Sequence, residues 1–149
     1  MRAAALLVLL AVVAGACGDD GGGEEGGGSG GGGLALSVAF EPDPPLAGKP
    51  VIWSLTVRNH GGEAVTLTFP SGKRGDVVLE GDGGEEVYRW SDGRFFTEAV
   101  VREHLGPDQE MVYRLEEPSL SVEPGDYDLV TTLAAEPEVG PDRQRVHVG

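Results

Sequence analysis

From Leu34 onward, apolar and polar residues alternate along the chain, the period that sends successive side chains to opposite faces of a strand. The stretch LALSVAF sets Leu34, Leu36, Val38 and Phe40 on one face, and VIWSLTV does the same with Val51, Trp53, Leu55 and Val57. AVTLTF places Val65, Leu67 and Phe69 together and leaves Thr66 and Thr68 outward. Shorter runs predict strands over residues 77–80, 87–90, 95–102, 111–115, 127–134 and 145–148. The helical period is absent. Between the runs lie EPDPPLAGKP, NHGGE, PSGKRGD, GDGGEE, SDGR, LGPDQE and EPGD, rich in the Gly, Pro, Asn and Asp that turns require. About seven to nine short strands so spaced predict an all-β fold, an antiparallel immunoglobulin-like β-sandwich without a disulfide. Its expected core holds Trp53 as anchor with Leu55, Val57, Leu67, Phe69, Tyr127 and Leu129.

The first 33 residues break this pattern. MRAAALLVLLAVVAGACGDD has one cation, Arg2, then an apolar run from Ala3 to Val13, small residues, and the only cysteine, Cys17. A run of that length is too short for a mature membrane span but fits a secretory signal. Ala14-Gly15-Ala16-Cys17 resembles a bacterial lipobox, with Ala14 where Leu is preferred. The resemblance implies cleavage before Cys17, lipidation of Cys17 and anchoring to the membrane on its extracytoplasmic face. Residues 18–33 follow, with eleven Gly among sixteen and four acids, Asp19, Asp20, Glu24 and Glu25. Such a stretch buries too little apolar surface to offset its ordering entropy and is expected to be a disordered tether, with a span on the order of 20–24 Å. The expected organisation is therefore a signal over 1–16, a lipidated tether over 17–33 and one sandwich domain over 34–149.

Charge narrows the partners. Loss of Arg2 with the signal leaves ten Lys and Arg against 25 Asp and Glu, a net charge of −15. Nucleic acid is excluded as a partner, because affinity for phosphates needs clustered cations that release counterions. Adhesion to anionic lipid by charge is disfavoured for the same reason.

LTVRNHGGEAVTLTFPSGKRGDVVLEGDGGEEVYRWSDGRFFTEAV, a Leu-x-Pro step at Leu105 to Pro107, and EPGDYDLVTTL lie between Ile52 and Leu133. Together they resemble the BsuPI family of proteinase inhibitor domains. Within them recur an Asn after a strand, a Phe followed by Ser-Gly, a strand-opening Asp, a Trp before a polar turn and Phe, and a closing Pro-Gly-x-Tyr. GPDQE departs from the Pro-Gly-Glu of the family. The resemblance implies a binding module directed at a proteinase, not an enzyme, with a protease or other cell-envelope protein as partner. The family is named for an intracellular protein, so an exported member is expected to meet a different protease.

Arg74-Gly75-Asp76 reads as an adhesion tripeptide, but the family pattern aligns Ser71-Gly72 with a turn and Asp76 with the start of a strand, where an Asp bonds nearby backbone. Lys73 and Arg74 form the only adjacent basic pair of the chain, so Lys73, Arg74 and Asp76 mark the candidate binding loop, with the cations as bait. Other chemistry is sparse. His60, His104 and His147 lack metal-ligand spacing, no nucleophile elbow or phosphate loop occurs, and no cofactor is expected. Glu80, Asp82, Glu85 and Glu86 gather hard oxygens suited to calcium, without the alternation of an EF-hand. Tyr88, Trp90, Phe95 and Phe96 offer the alternative of a carbohydrate- or envelope-binding platform, provided that they lie exposed.

Overall fold

A computed structural model describes residues 29–30 and 33–149. The leader and Cys17 lie outside the described residues. The alternating runs become strands: β1 (Ser29–Gly30), β2 (Leu34–Glu41), β3 (Val51–Asn59), β4 (Val65–Phe69), β5 (Gly75–Glu80), β6 (Glu86–Arg89), β7 (Val101–Leu105), β8 (Glu110–Glu117), β9 (Gly125–Leu133) and β10 (Asp142–Val148). Among the described residues there is no helix, and every strand pairing is antiparallel. β1 falls in the glycine-rich stretch upstream of Leu34 and pairs with the start of β2.

Two four-stranded sheets, ordered β1-β2-β3-β8 and β10-β9-β5-β6, face one another. Their inner faces follow from the period of two. In β3 every second residue, from Val51 through Trp53, Leu55 and Val57, is buried, and opposite them lie Val77 and Leu79 of β5, Leu129 of β9, and Val146 and Val148 of β10. Trp53 is fully buried, with Phe40 edge-on at 5.8 Å. Tyr127, expected in the core, is only half-buried, because its hydroxyl donates to the carbonyl of Glu123 at the rim.

Two further departures matter for the site. β4 and β7 belong to neither large sheet; they form a separate ribbon packed beside β8, where Phe69 meets the ring of Tyr113 edge-on and Tyr113 donates to Glu103 of β7 at 2.8 Å. The strand expected over residues 95–102 begins only at Val101. Residues 94–100 carry enough apolar side chains to imitate a strand, yet they form an irregular loop whose backbone bonds to another loop.

Candidate functional site

Two loops, residues 70–74 between β4 and β5 and residues 90–100 between β6 and β7, meet at one edge of the sandwich. The backbone N–H of Gly72 donates to the carbonyl of Thr97 at 2.7 Å. Asp76, two residues beyond the first loop, ties both. It is 2 % exposed and accepts five hydrogen bonds. Oδ1 receives the N–H groups of Val77 at 3.0 Å and Ser91 at 3.1 Å. Oδ2 receives Lys73 Nζ at 2.9 Å, Arg89 Nη1 at 3.1 Å and the Ser91 hydroxyl. Burial alone would raise the pKa of this carboxyl; the hydrogen bonds from Ser91 and Lys73, the Lys73 charge and the bond from Arg89 outweigh it and hold the group below the ordinary carboxylate range.

The Arg-Gly-Asp string is thereby accounted for. Arg74 lies 4.7 Å over the ring of Phe69 and donates to the carbonyl of Ser71, with Glu103 at 4.0 Å. Gly75 is buried with no room for a side chain, since a Cβ there would meet Leu55 Cδ2 at 2.4 Å and the Thr132 carbonyl at 2.7 Å. Asp76 faces inward. No part of the tripeptide is presented as adhesion ligands must be. Lys73 and Arg74 are 30 % and 25 % exposed at their side chains, and each has its charge engaged by an acid of its own fold. The expected bait pair is therefore half-covered and neutralised, while Asp76 is the joint that sets the shape of the region.

The second loop is held just as firmly. Trp90 is buried, its N–H donating to Val77 and its indole Nε1 to the Glu116 carbonyl at 3.0 Å. Arg94, four residues on, stacks 4.4 Å over the Trp90 ring, donates through Nε to the Trp90 carbonyl at 2.7 Å, and through Nη2 to the Glu116 carbonyl at 2.9 Å and Glu117 at 3.3 Å. Glu117 also accepts from Tyr88; burial, and then this carboxylate, push the Tyr88 phenol above its usual range. Phe96 packs on Trp90 with ring centroids 5.8 Å apart. Between Arg94 and Phe96, both turned inward, Phe95 stands 100 % exposed. The four aromatic residues offered as a sugar platform thus share no surface: Trp90 is core, Tyr88 and Phe96 are half-buried, and only Phe95 faces solvent.

The remaining candidates are dispersed. Of the acidic turn, Glu80 pairs with Arg143, Asp82 with Arg145, and Glu86 with Arg89. Three carboxylates are drawn to three separate guanidinium groups, which is why the turn does not converge on one calcium position. Among the described residues no group of three or more His, Cys, Asp or Glu is placed to hold a metal. His104 bonds Thr66 at 2.8 Å and His147 bonds Asp126 at 2.7 Å, on different elements, and His60 sits apart in the turn after β3.

An antiparallel sandwich presenting two cross-braced loops, one tipped by an exposed aromatic side chain, has the form of a binding domain. The family model for BsuPI, described as intracellular proteinase inhibitor, matches residues 38–138, and the chain belongs to that family. No curated protein matches. Among solved structures, the sporulation control protein Spo0M from Bacillus subtilis is similar at 19% identity and a TM-score of 0.49 over 78% of this chain and 49% of that one. The CARDB domain of the PF1109 protein from Pyrococcus furiosus, solved with di-metal ions, is 22% identical with a TM-score of 0.41 over 78% and 89%. A beta-glucosidase from Listeria innocua is 16% identical with a TM-score of 0.43 over 78% and 16%. The chain spans about half the length of Spo0M and a small part of the glucosidase.

Proposed function

We propose that this protein is a lipid-anchored, extracytoplasmic binding module that engages and inhibits a proteinase, without catalysis and without a cofactor, through the joined loops 70–74 and 90–100. The observation that carries the reading is the family match across residues 38–138, which contains both loops. The geometry supports it in three respects. The loops are preorganised by the Asp76 and Arg94 networks, so little ordering entropy opposes binding. They project from the edge of a rigid sandwich, the usual placement of recognition residues. Lys73 and Arg74, each engaged by an acid of its own fold, help to hold the first loop in place. Anchoring at Cys17 rests on the lipobox-like Ala14-Gly15-Ala16-Cys17 alone.

Two measurements test the proposal. The detergent-solubilised full chain, immobilised and exposed to cell-envelope extract, is expected to retain an active proteinase that elutes with peptidase activity. Incubation of the full chain with purified serine, cysteine and metallo endoproteases is expected to slow at least one. Retention of no proteinase and inhibition of none would overturn the reading.

A further inference from the structure

We infer that Phe95 is the residue the partner recognises, inserted into the deep apolar specificity pocket of a serine endoprotease; this rests on the proteinase-binding reading above and names its specificity. Phe95 is the one large hydrophobic side chain among the described residues with complete exposure. Scattered surface apolar residues are ordinary, but a phenyl ring wholly in water at a fixed position is a different matter, because the backbone on either side cannot relax to cover it. Arg94 fixes the preceding residue by three side-chain hydrogen bonds to Trp90, Glu116 and Glu117 and by stacking on Trp90. Phe96 fixes the following residue on the opposite side of the chain by packing on Trp90, and Thr97 is held through its carbonyl by Gly72. The segment belongs to no strand or helix. A segment outside regular structure, with one side chain out and both neighbours pinned inward, offers a protease a single residue for its primary pocket.

The occupant follows from the surroundings. Phe95 is a single exposed ring whose exposed chain neighbours include the polar Asp92, Thr97 and Glu98, with Val100 farther along the loop, so it suits a pocket of one side chain's width. A flat apolar surface would need a wider patch, and a lipid bilayer would have to take the neighbouring carboxylates with it. A hydrophobic slot that accepts aromatic side chains is how chymotrypsin-like serine proteases choose their substrates. The cations Lys73 and Arg74, the other candidates for a bait, are engaged with Asp76 and Glu103 and are less exposed. The inference therefore predicts preference for enzymes that cleave after aromatic residues over those that cleave after basic ones.

The test is inhibition of chymotrypsin, subtilisin and trypsin by the full chain and by Phe95→Ala, Phe95→Lys and Arg94→Ala. The wild-type chain is expected to inhibit chymotrypsin or subtilisin in preference to trypsin. Phe95→Ala is expected to weaken that inhibition by about 100-fold, as loss of a central aromatic anchor does, with an unchanged melting temperature. Phe95→Lys is expected to transfer inhibition toward trypsin, a readout that a merely structural residue would not move. Arg94→Ala is expected to weaken inhibition while Phe95 is still present, by loosening the loop. If the chain inhibits a serine protease and Phe95→Ala is equally potent, the inference falls while the proposed function stands. The same holds if only cysteine or metallo enzymes are inhibited. If no protease of any class is affected, both fall.

Discussion

Replacement of Asp76 by Asn is the sharpest probe of how the two loops are joined. The substitution keeps the shape of the side chain but removes its charge, and it turns one oxygen, an acceptor for up to three donors, into an NH2 group that faces donors. Hydrogen bonds to a charged group contribute about 1.5–3 kcal/mol each. The two cations are partly solvated, with side-chain exposures of 30 % for Lys73 and 37 % for Arg89, so part of their share returns as hydration. Loss of one partner from a buried, bonded charge cluster costs about 3–5 kcal/mol, against a domain stability of about 5–15 kcal/mol. Asp76→Asn is therefore expected to lower the urea midpoint at neutral pH by a large fraction. The pH dependence carries a sign. The folded-state pKa of Asp76 is depressed below its ordinary value of 3.8, so its contribution is fully present above that value and is lost as pH falls through the folded pKa. The gap between wild type and Asp76→Asn should be widest at neutral pH and narrow in acid below 3.8. Equal midpoints at neutral pH, or a gap that does not narrow in acid, would refute the reasoning.

Other expectations follow from single contacts. Trp53→Ala, at the fully buried centre of β3, is expected to cost about 3–5 kcal/mol and to leave a domain that melts far below wild type, measured by thermal unfolding followed by circular dichroism. Gly75→Ala forces a methyl against Leu55 and the Thr132 carbonyl and is expected to cost about 1–3 kcal/mol in urea unfolding, whereas Gly62→Ala, in an open turn, gains no such clash. Cys17→Ser is expected to release the protein from the membrane fraction or to leave it unprocessed, and normal processing with continued membrane retention would refute the anchor.

The alternation of side chains carried the fold into the sequence. In β2, β3 and β4 the period of two named the inward faces, and Trp53, Leu55, Val57, Leu67, Phe69 and Leu129 are buried as their positions require. The same signal misled at residues 95–100, where Phe95, Phe96, Ala99 and Val100 supply strand-like composition. Hydrophobicity alone does not distinguish a ring packed on Trp90 from one standing in water. The site was legible in part. The basic pair and Asp76 single out a loop in the sequence, but what each side chain does there depends on partners distant in sequence: Arg89 and Ser91 for Asp76, Glu103 for Arg74. Arg94 carries only one local signal, its spacing of four from Trp90. Its bonds to Glu116 and Glu117 cross from β8 and leave no trace in a single sequence. Asn59, quoted only as part of a family pattern, proves to be fully buried, its side chain donating to the carbonyls of Glu63 and Leu105 and accepting from Gly61, so that it clamps the β3–β4 turn to the end of β7.

The central claim, that the protein inhibits by filling the apolar pocket of a serine proteinase, is tested most directly by titrating an active-site-quantified serine endoprotease of aromatic preference with the full chain and following hydrolysis of a small peptide substrate. The account predicts a reversible loss of activity that reaches completion near one chain per enzyme and is overcome by added substrate. Activity that stays constant across the titration, or the full chain being consumed as an ordinary substrate with no loss of turnover on the peptide, would contradict it.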